Sequence, residues 1–114
     1  MGNPVMWFEV QSKDPDQAQR FYAELFGWNV DADNEMGYGM VMDNTEGIGG
    51  GIGGDGGGPG GVMWYVQVPD PEAALQKAEE LGGTRLMGPM DVPGGPTIAH
   101  FQDPDGNRVG LMQG

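Results

Sequence analysis

Two stretches of the chain carry the same order of apolar and polar positions. Each begins with a short run rich in β-branched and aromatic residues, Val5–Val10 in the first stretch and Val62–Val68 in the second. Such a run is typical of a β-strand. An Asp-Pro pair follows each run, and apolar residues then recur at helical spacing, which predicts a capped α-helix. The pattern therefore predicts a strand followed by a helix, twice.

The predicted helices begin at Pro15 and Pro71, where the missing N–H of proline costs nothing. The preceding Asp14 and Asp70 can accept hydrogen bonds from the free N–H groups of the first turn. Glycines 27, 82 and 83 can end the helices, because glycine readily adopts the left-handed conformation. We expect one apolar stripe of each helix to lie in the core. These stripes are Ala18, Phe21, Tyr22, Leu25 and Phe26 in the first helix, and Ala74, Leu75, Ala78 and Leu81 in the second.

The two stretches align without a gap when residue 7 is placed against residue 63. Eight positions are identical across residues 7–27, where chance would give about one or two. The identical pairs are Val10/Val66, Gln11/Gln67, Asp14/Asp70, Pro15/Pro71, Ala18/Ala74, Glu24/Glu80, Leu25/Leu81 and Gly27/Gly83. We interpret the chain as a duplicated unit of about half its length.

Three weaker strands are predicted after each helix, so the order is strand, helix, strand, strand, strand in both halves. The strands are Trp28–Val30, Tyr38–Met42 and Gly47–Ile52 in the first half, and Arg85–Met87, Thr97–Gln102 and Arg108–Met112 in the second. This order predicts an α+β fold with two βαβββ modules, in which eight strands form a curved mixed sheet with the helices outside it. We expect a single domain over residues 1–114, with module one at 1–56, a linker within 53–61 and module two at 62–114.

Residues 47–61 contain eleven glycines. The segment has no Gly-Lys-Ser/Thr ending and no helix pattern follows it, which argues against a phosphate-binding loop. A glycine-rich strand at 47–52 carries few side chains. It would leave room in a cavity or allow another chain segment to approach closely.

The charge of the chain limits its partners. With 17 acidic and 5 basic residues the net charge is −12, which repels nucleic acid and acidic lipid surfaces, so we expect neither as a partner. No apolar run approaches the ~20 residues of a membrane helix, and the start of the chain lacks an export signal, so a cytoplasmic location is expected. The absence of cysteine excludes disulfides, thiolate metal sites and cysteine nucleophiles.

Several segments together resemble the vicinal oxygen chelate superfamily, also called the glyoxalase/bleomycin-resistance/dioxygenase superfamily. The segments are Trp7–Val10, Asp14–Ala18, Phe21-Tyr22, Leu25–Trp28, Tyr65–Val68, Ala73-Ala74, Leu81–Gly83 and Phe101–Asn107. The resemblance covers nearly the whole chain and implies a pair of βαβββ modules forming a cup around a small-molecule site. Members include metal-dependent lyases, isomerases and dioxygenases, as well as metal-free antibiotic-binding proteins.

Enzymes of this superfamily hold a divalent metal with His or Glu side chains. The positions that match these ligands here are Trp7, Gly51, Met63 and Gly110, and none supplies the oxygen or nitrogen that such a metal needs. We therefore expect no metal and no other cofactor. The two glycines are expected to enlarge the floor of the cup.

Successive side chains of a strand point to opposite faces of the sheet. One face of each first strand is therefore expected to line the cup that the resemblance implies, and the other face to pack against the helices. The residues expected to face the cup and bind a ligand are Trp7, Glu9, Gln11, Met63, Tyr65 and Gln67, together with His100, the only histidine. The residues expected to pack against the helices are Phe8, Val10, Trp64, Val66 and Val68. Glu9 lies between aromatic neighbours and is a candidate ligand anchor or general base, with His100 as a second candidate catalytic group. Each can equally be structural: Glu9 at an open rim, His100 as a hydrogen-bonded strand residue, and Tyr65 as a core tyrosine.

Three functions fit these features. The first is a metal-independent protein that captures an aromatic or amphipathic compound in the cup. The second is a glyoxalase-type lyase or isomerase, similar to lactoylglutathione lyase, or another enzyme that uses Glu9 and His100. The third is a homodimeric scaffold with a vestigial cup. The first is preferred, and a homodimer is expected because superfamily members often build sites across two chains.

Overall fold

The computed structural model describes residues 2–42 and 46–114, and within these ranges the chain forms two helices and eight strands. In chain order they are β1 (Val5–Ser12), α1 (Pro15–Phe26), β2 (Val30–Asp31), β3 (Gly39–Val41), β4 (Gly49–Gly54), β5 (Gly61–Val68), α2 (Pro71–Glu80), β6 (Thr84–Asp91), β7 (Thr97–Gln102) and β8 (Arg108–Gln113). The fold is α+β, and the order βαβββ occurs twice, as the sequence pattern predicts.

The chain divides into two compact units. The first unit is Trp7–Met63, and the second unit is Met1–Met6 together with Trp64–Gly114. β4 ends at Gly54 and β5 begins at Gly61, so the segment predicted as a linker also contributes strand residues at both its ends. The single domain and its module boundaries stay predictions.

In the first unit the strand order is β2-β3-β4-β1. β1 and β4 run parallel, and β3 pairs with β4 in the antiparallel direction. Helix α1 lies against β4. The buried side chain of Gln19 joins them, since its amide nitrogen donates to the carbonyl oxygen of Ile52 at 2.9 Å and to that of Gly37 at 3.0 Å.

In the second unit the strand order is β5-β8-β7-β6. β5 and β8 are parallel, and β7 is antiparallel to both of its neighbours. Helix α2 packs on β6, β7 and β8. The core of this unit is Val68, Leu75, Ala99 and Leu111, with Val66, Ala74 and Phe101 packed against it.

The predicted helix caps are confirmed. The carboxylate of Asp14 accepts from the backbone N–H of Gln17, and that of Asp70 accepts from the N–H of Ala73. α1 ends at Phe26 and is capped by Gly27, whose φ of 72° is a left-handed conformation that favours glycine. α2 ends at Glu80 with Leu81 as its C-cap residue instead of a glycine, and Gly82 follows with a φ of 99°.

Several strand boundaries differ from those expected, and β2 and β6 have identifiable reasons. β2 begins at Val30 because Trp28 belongs to an aromatic cluster, with its ring centroid 5.0 Å from that of Phe26 and 5.3 Å from that of Phe8. β6 begins at Thr84 and continues to Asp91, beyond the predicted end at Met87 and through Gly88 and Pro89. The strand survives because its pairing with β7 shifts register on this stretch and β6 is at the edge of its unit's strand order.

The prediction that the apolar stripe of α1 lies in the core is wrong for three of its members. Phe21, Leu25 and Phe26 are each more than half exposed. The buried face is centred on Gln19, since this polar side chain satisfies two carbonyl groups beneath the helix. A prediction based only on apolar residues therefore identifies the wrong side of this helix as buried.

Two further core predictions are wrong. Leu81 is exposed because it lies beyond the last turn of α2. Trp64 is 54% exposed, although the alternation of β5 places it on the face of Val66 and Val68. Trp64 is exposed because the short helix α2 does not cover it. Ala74 and Leu75 of α2 pack on Val66 and Val68, and Trp64 lies outside that cluster.

Neither helix within the described ranges is long and apolar enough to span a membrane.

Candidate functional site

The face of β1 that carries Trp7, Glu9 and Gln11 lies beside a row of glycines on β4. The parallel register pairs these three residues with Gly49, Gly51 and Gly53 respectively. Because paired residues point to the same face of a sheet, this face has large side chains on β1 and none on β4.

Aromatic rings fill the space above these glycines. A Cβ atom at Gly49 would lie 2.9 Å from Cζ3 of Trp7, and one at Gly53 would lie 2.7 Å from Cδ1 of Tyr38. A Cβ at Gly51 would overlap the hydroxyl group of Tyr38. The expectation that Gly51 enlarges a cavity floor is therefore wrong, since its missing side chain makes room for a tyrosine.

Four side chains meet around the carboxylate of Glu9. The indole N–H of Trp7 donates to the hydroxyl oxygen of Tyr38 at 3.1 Å, and this hydroxyl donates to Oε1 of Glu9 at 2.9 Å. The amide nitrogen of Gln11 donates to Oε2 of Glu9 at 2.8 Å and approaches the sulfur of Met63 at 3.6 Å. We call these five residues the Glu9 cluster. Met63 is buried and the other four are half-buried.

Tyr38 is held by the loop that precedes it. The side-chain oxygen of Asn34 accepts from the backbone N–H groups of Met36 and Tyr38, and its amide nitrogen donates to the carbonyl oxygen of Tyr38 at 2.7 Å. Gln19 holds the same loop through the carbonyl of Gly37. These contacts on both sides of the loop fix where the Tyr38 ring can lie.

Sequence reasoning did not identify Tyr38 as a site residue, because it reads as the first residue of a weak strand. One signal was available in the glycines at 49, 51 and 53, which occupy one face of the strand. A row of glycines on one face of a strand indicates that a large group from elsewhere covers that face. The sequence does not say which group, since Tyr38 is 29 residues from Glu9.

A second polar pair lies in the second unit. The hydroxyl of the buried Tyr65 is 2.7 Å from Nε2 of His100, and their rings meet edge to face at 5.5 Å. The Tyr65 ring covers Gly110, with which it pairs in register, so Gly110 does not enlarge a cavity either. Gln67 is farther along β5, and its side chain lies over Gly114.

The seven predicted ligand-binding residues are distributed over both units. Trp7, Glu9, Gln11 and Met63 belong to one hydrogen-bonded cluster in the first unit. Tyr65 and His100 form a pair in the second unit, and Gln67 is in that unit but makes a different contact. Each unit has the same packing arrangement, in which a tyrosine ring covers a glycine: Tyr38 covers Gly51 and Tyr65 covers Gly110.

The superfamily's metal does not fit the residues present. The matching positions carry an indole, a thioether and two glycines, and the glycines are covered by tyrosine rings. Both oxygens of Glu9 already accept protein hydrogen bonds. Across residues 2–42 and 46–114, no three His, Asp or Glu side chains come together in a way that could hold a metal ion.

In the second unit a charge pairing joins α2 and β6. Arg85 donates to both oxygens of Glu72 and to one oxygen of Glu79. The hydrogen bonds from Arg85 and Gln76 lower the pKa of Glu72 from 4.5 to about 2, and the bond to Glu72 raises the pKa of Arg85. In the β7–β8 turn, hydrogen bonds from Asn107 lower the pKa of Asp103.

An open groove of about 570 Å³ also lies in the first unit, between α1 and the segment that follows β4. Its walls include Val10, Phe21, Tyr22 and Pro59, and of the Glu9 cluster only Gln11 reaches it. Of the Glu9 cluster the groove contains only Gln11, so it lacks the carboxylate, the indole and the phenol that meet in the cluster. We therefore take the cluster as the candidate site, since polar groups that converge among apolar ones distinguish binding sites.

The chain matches a known protein family. Residues 7–112 match the family model described as "Glyoxalase-like domain". The chain belongs to the glyoxalase-like domain family. It is thereby a member of the glyoxalase/bleomycin resistance/dioxygenase superfamily, as the resemblance predicts.

Two curated relatives match nearly all of the chain. CFP32 of Mycobacterium tuberculosis (strain CDC 1551 / Oshkosh), which carries a provisional glyoxylase name, is 31% identical over 94% of this chain and 44% of its own length. The anthracycline biosynthesis protein DauV of Streptomyces sp. (strain C5) is 30% identical over 95% of this chain and 48% of its own length. The chain therefore spans about half the length of these relatives.

Solved structures show the same fold at low sequence identity. A superfamily member from Vibrio splendidus 12B01 has a TM-score of 0.65 and 19% identity, covering 99% of this chain and all of its own. Methylmalonyl-CoA epimerase from Streptomyces coelicolor, in complex with 2-nitronate-propionyl-CoA, has a TM-score of 0.62 and 17% identity over 97% of this chain and 96% of its own.

Proposed function

We propose that this protein binds a small aromatic or amphipathic organic molecule at the Glu9 cluster, without a metal ion. The observation that carries the proposal is the hydrogen-bonded set around Glu9, in which Trp7, Tyr38 and Gln11 fix the carboxylate among aromatic and thioether groups. A few fixed polar groups within an apolar lining are what organic ligands favour. The complex of the related epimerase fold with a CoA ester, and the place of DauV in anthracycline biosynthesis, are consistent with an organic ligand.

Ligand capture can be tested with two variants and a matched control. Glu9→Gln keeps the shape of the side chain and removes its charge, and Tyr38→Phe removes only the hydroxyl. Glu24→Gln, on the exposed face of α1, makes the same chemical change away from the cluster. Thermal-shift screening of the wild type against aromatic metabolites and antibiotics should identify binders, and calorimetry should give their affinities.

Glu9→Gln should weaken binding about tenfold or more, because it removes one charge-assisted hydrogen bond to the ligand, whereas Glu24→Gln should not weaken it. Tyr38→Phe should also weaken binding, because it removes the hydroxyl that holds the Glu9 carboxylate in place. A flat response across the library would overturn the proposal, as would equal affinities for all four proteins. Elemental analysis tests metal independence. A stoichiometric transition metal in the purified protein would contradict it and support the lyase or isomerase alternative.

We also propose that two copies of the chain associate. Phe21, Leu25 and Phe26 form an exposed apolar face on α1, and a face of this kind favours a protein partner. Sedimentation velocity should show a dimer for the wild type. Leu25→Lys should shift it toward monomer, while the neighbouring Glu24→Lys should not, and a monomeric wild type would contradict association.

A further inference from the structure

The Glu9 cluster uses its polar hydrogens internally. The indole of Trp7 and the hydroxyl of Tyr38 have one each, and both are donated within the cluster. The amide nitrogen of Gln11 directs its two hydrogens to Glu9 and toward the sulfur of Met63. An incoming ligand therefore meets groups whose donors are already committed.

The carboxylate of Glu9, unlike these donors, can still take part in further hydrogen bonds. An ionised carboxylate can accept about four hydrogen bonds, and the cluster supplies two of them to Glu9. The half-buried carboxylate therefore keeps capacity for a donor on the ligand. A ligand that complements it must bring N–H or O–H groups.

The charge of Glu9 is not cancelled by its partners. The donors on its two oxygens are a phenol and an amide, and both are neutral. The ion pairs that Arg85 makes join it to Glu72 and Glu79 and do not involve Glu9. A half-buried negative charge with neutral partners attracts a positive group more strongly than an exposed one does, because less water screens it.

The groups beside the carboxylate are also suited to a cation. Trp7 and Tyr38 are joined by a hydrogen bond next to Glu9, and the faces of such rings attract organic ammonium groups. The net charge of −12 attracts cations to the protein and repels anions. A polyanion such as a CoA ester is therefore a poor match for this chain, although the related epimerase fold binds one.

We infer that the ligand of the Glu9 cluster is an organic cation, an aromatic body bearing a protonated nitrogen that donates to Glu9. This inference rests on the proposed function and specifies the ligand class. The nitrogen supplies the hydrogen-bond donors and the charge that the cluster lacks, and the aromatic body lies beside Trp7 and Tyr38.

Three probes that share one ring system test the inference: 2-naphthylmethylammonium, 2-naphthylmethanol and 2-naphthoate, which carry charges of +1, 0 and −1. Calorimetry at low salt should show the ammonium compound binding about tenfold or more tightly than the alcohol, and the carboxylate binding more weakly than either. The preference for the ammonium compound should shrink at about 0.5 M salt, because screening weakens charge attraction.

The matched variants locate the effect. Glu9→Gln should bring the affinities for the ammonium compound and the alcohol within about twofold of each other, whereas Glu24→Gln should keep the wild-type preference. Equal binding of all three probes by the wild type would overturn the cation inference and leave capture of aromatic molecules standing. A preference that survives Glu9→Gln would also overturn it. Failure of all three probes, together with a flat library screen, would overturn the proposed function itself.

Discussion

Gly51 shows how a single missing side chain shapes the candidate site. Its backbone has no left-handed conformation that would require glycine. The requirement is steric, because the hydroxyl of Tyr38 occupies the place where a Cβ atom would be. That placement brings the same hydroxyl within reach of Glu9. Gly51 thus helps to position the Glu9 carboxylate, because it leaves the space that Tyr38 occupies.

Gly51→Ala should displace the Tyr38 ring and break its hydrogen bonds to Trp7 and Glu9. We expect a loss of about 1–3 kcal/mol in the free energy of unfolding, the usual cost of overpacking, and a change in tryptophan fluorescence. Urea denaturation measures the first quantity. Gly54→Ala on the same strand is the control, since its Cβ would lie an ordinary 3.8 Å from Pro15. Equal stability of the two variants would show that Tyr38 does not need the space.

At the scale of the elements, each helix is started by local chemistry and oriented by longer-range contacts. The Asp-Pro pairs provide the cap and the first residue of both helices. The orientation of α1 depends on Gln19, which bonds to carbonyl groups 18 and 33 residues away. The start of a helix is therefore readable from the sequence, while its buried face is not.

Asp14→Ala should destabilise the protein by about 0.5–2 kcal/mol, since it leaves the N–H of Gln17 without its side-chain acceptor. Asp14→Asn retains an acceptor at the same place and should retain most of the stability. Thermal and urea denaturation of both variants measure the difference. If the alanine and asparagine variants were equally destabilised, the loss would come from the charge and not from the cap.

The contact of α2 with β6 should depend on pH through Glu72. Its pKa is about 2 in the folded protein and 4.5 when unperturbed, so the folded state binds the proton less readily than the unfolded state does. The contribution is fully present above pH 4.5 and is lost as the pH falls toward about 2. The difference in unfolding free energy between wild type and Glu72→Gln should therefore be present at pH 7 and disappear near pH 2.

Glu80→Gln is the control for this titration, because Glu80 is exposed on the same helix. Its difference from the wild type should be smaller at pH 7 than that of Glu72→Gln. A Glu72→Gln difference that stays constant from pH 7 to pH 2 would contradict the role of the Arg85 pair.

At the scale of the whole molecule, the excess of acidic residues opposes folding. A net charge of −12 on 114 residues creates repulsion that is stronger in the compact state than in the unfolded chain. Sodium chloride should therefore raise the melting temperature, most steeply up to about 0.15 M, where the Debye length falls to about 8 Å. Calorimetry over a salt series tests this. A melting temperature that falls with salt would show that attractive charge pairs dominate.

The sequence alone predicted the α+β class, the repeated βαβββ order, the two helix starts and β7 at Thr97–Gln102. It also predicted the family, since the matching segments are spread over the chain. Within the candidate site it placed Trp7, Glu9 and Gln11 on one face, because strand alternation fixes this. Whether these residues bind a ligand stays a prediction.

The features that it missed share one cause. Tyr38 above Gly51, Tyr65 above Gly110 and the exposed Phe21 all depend on which distant segment comes to lie beside a given residue. Caps, alternation and glycine conformations are decided by neighbours a few residues away, so the sequence determines them. The occupant of the space over a glycine and the buried side of a helix depend on long-range packing, so only the tertiary structure decides them.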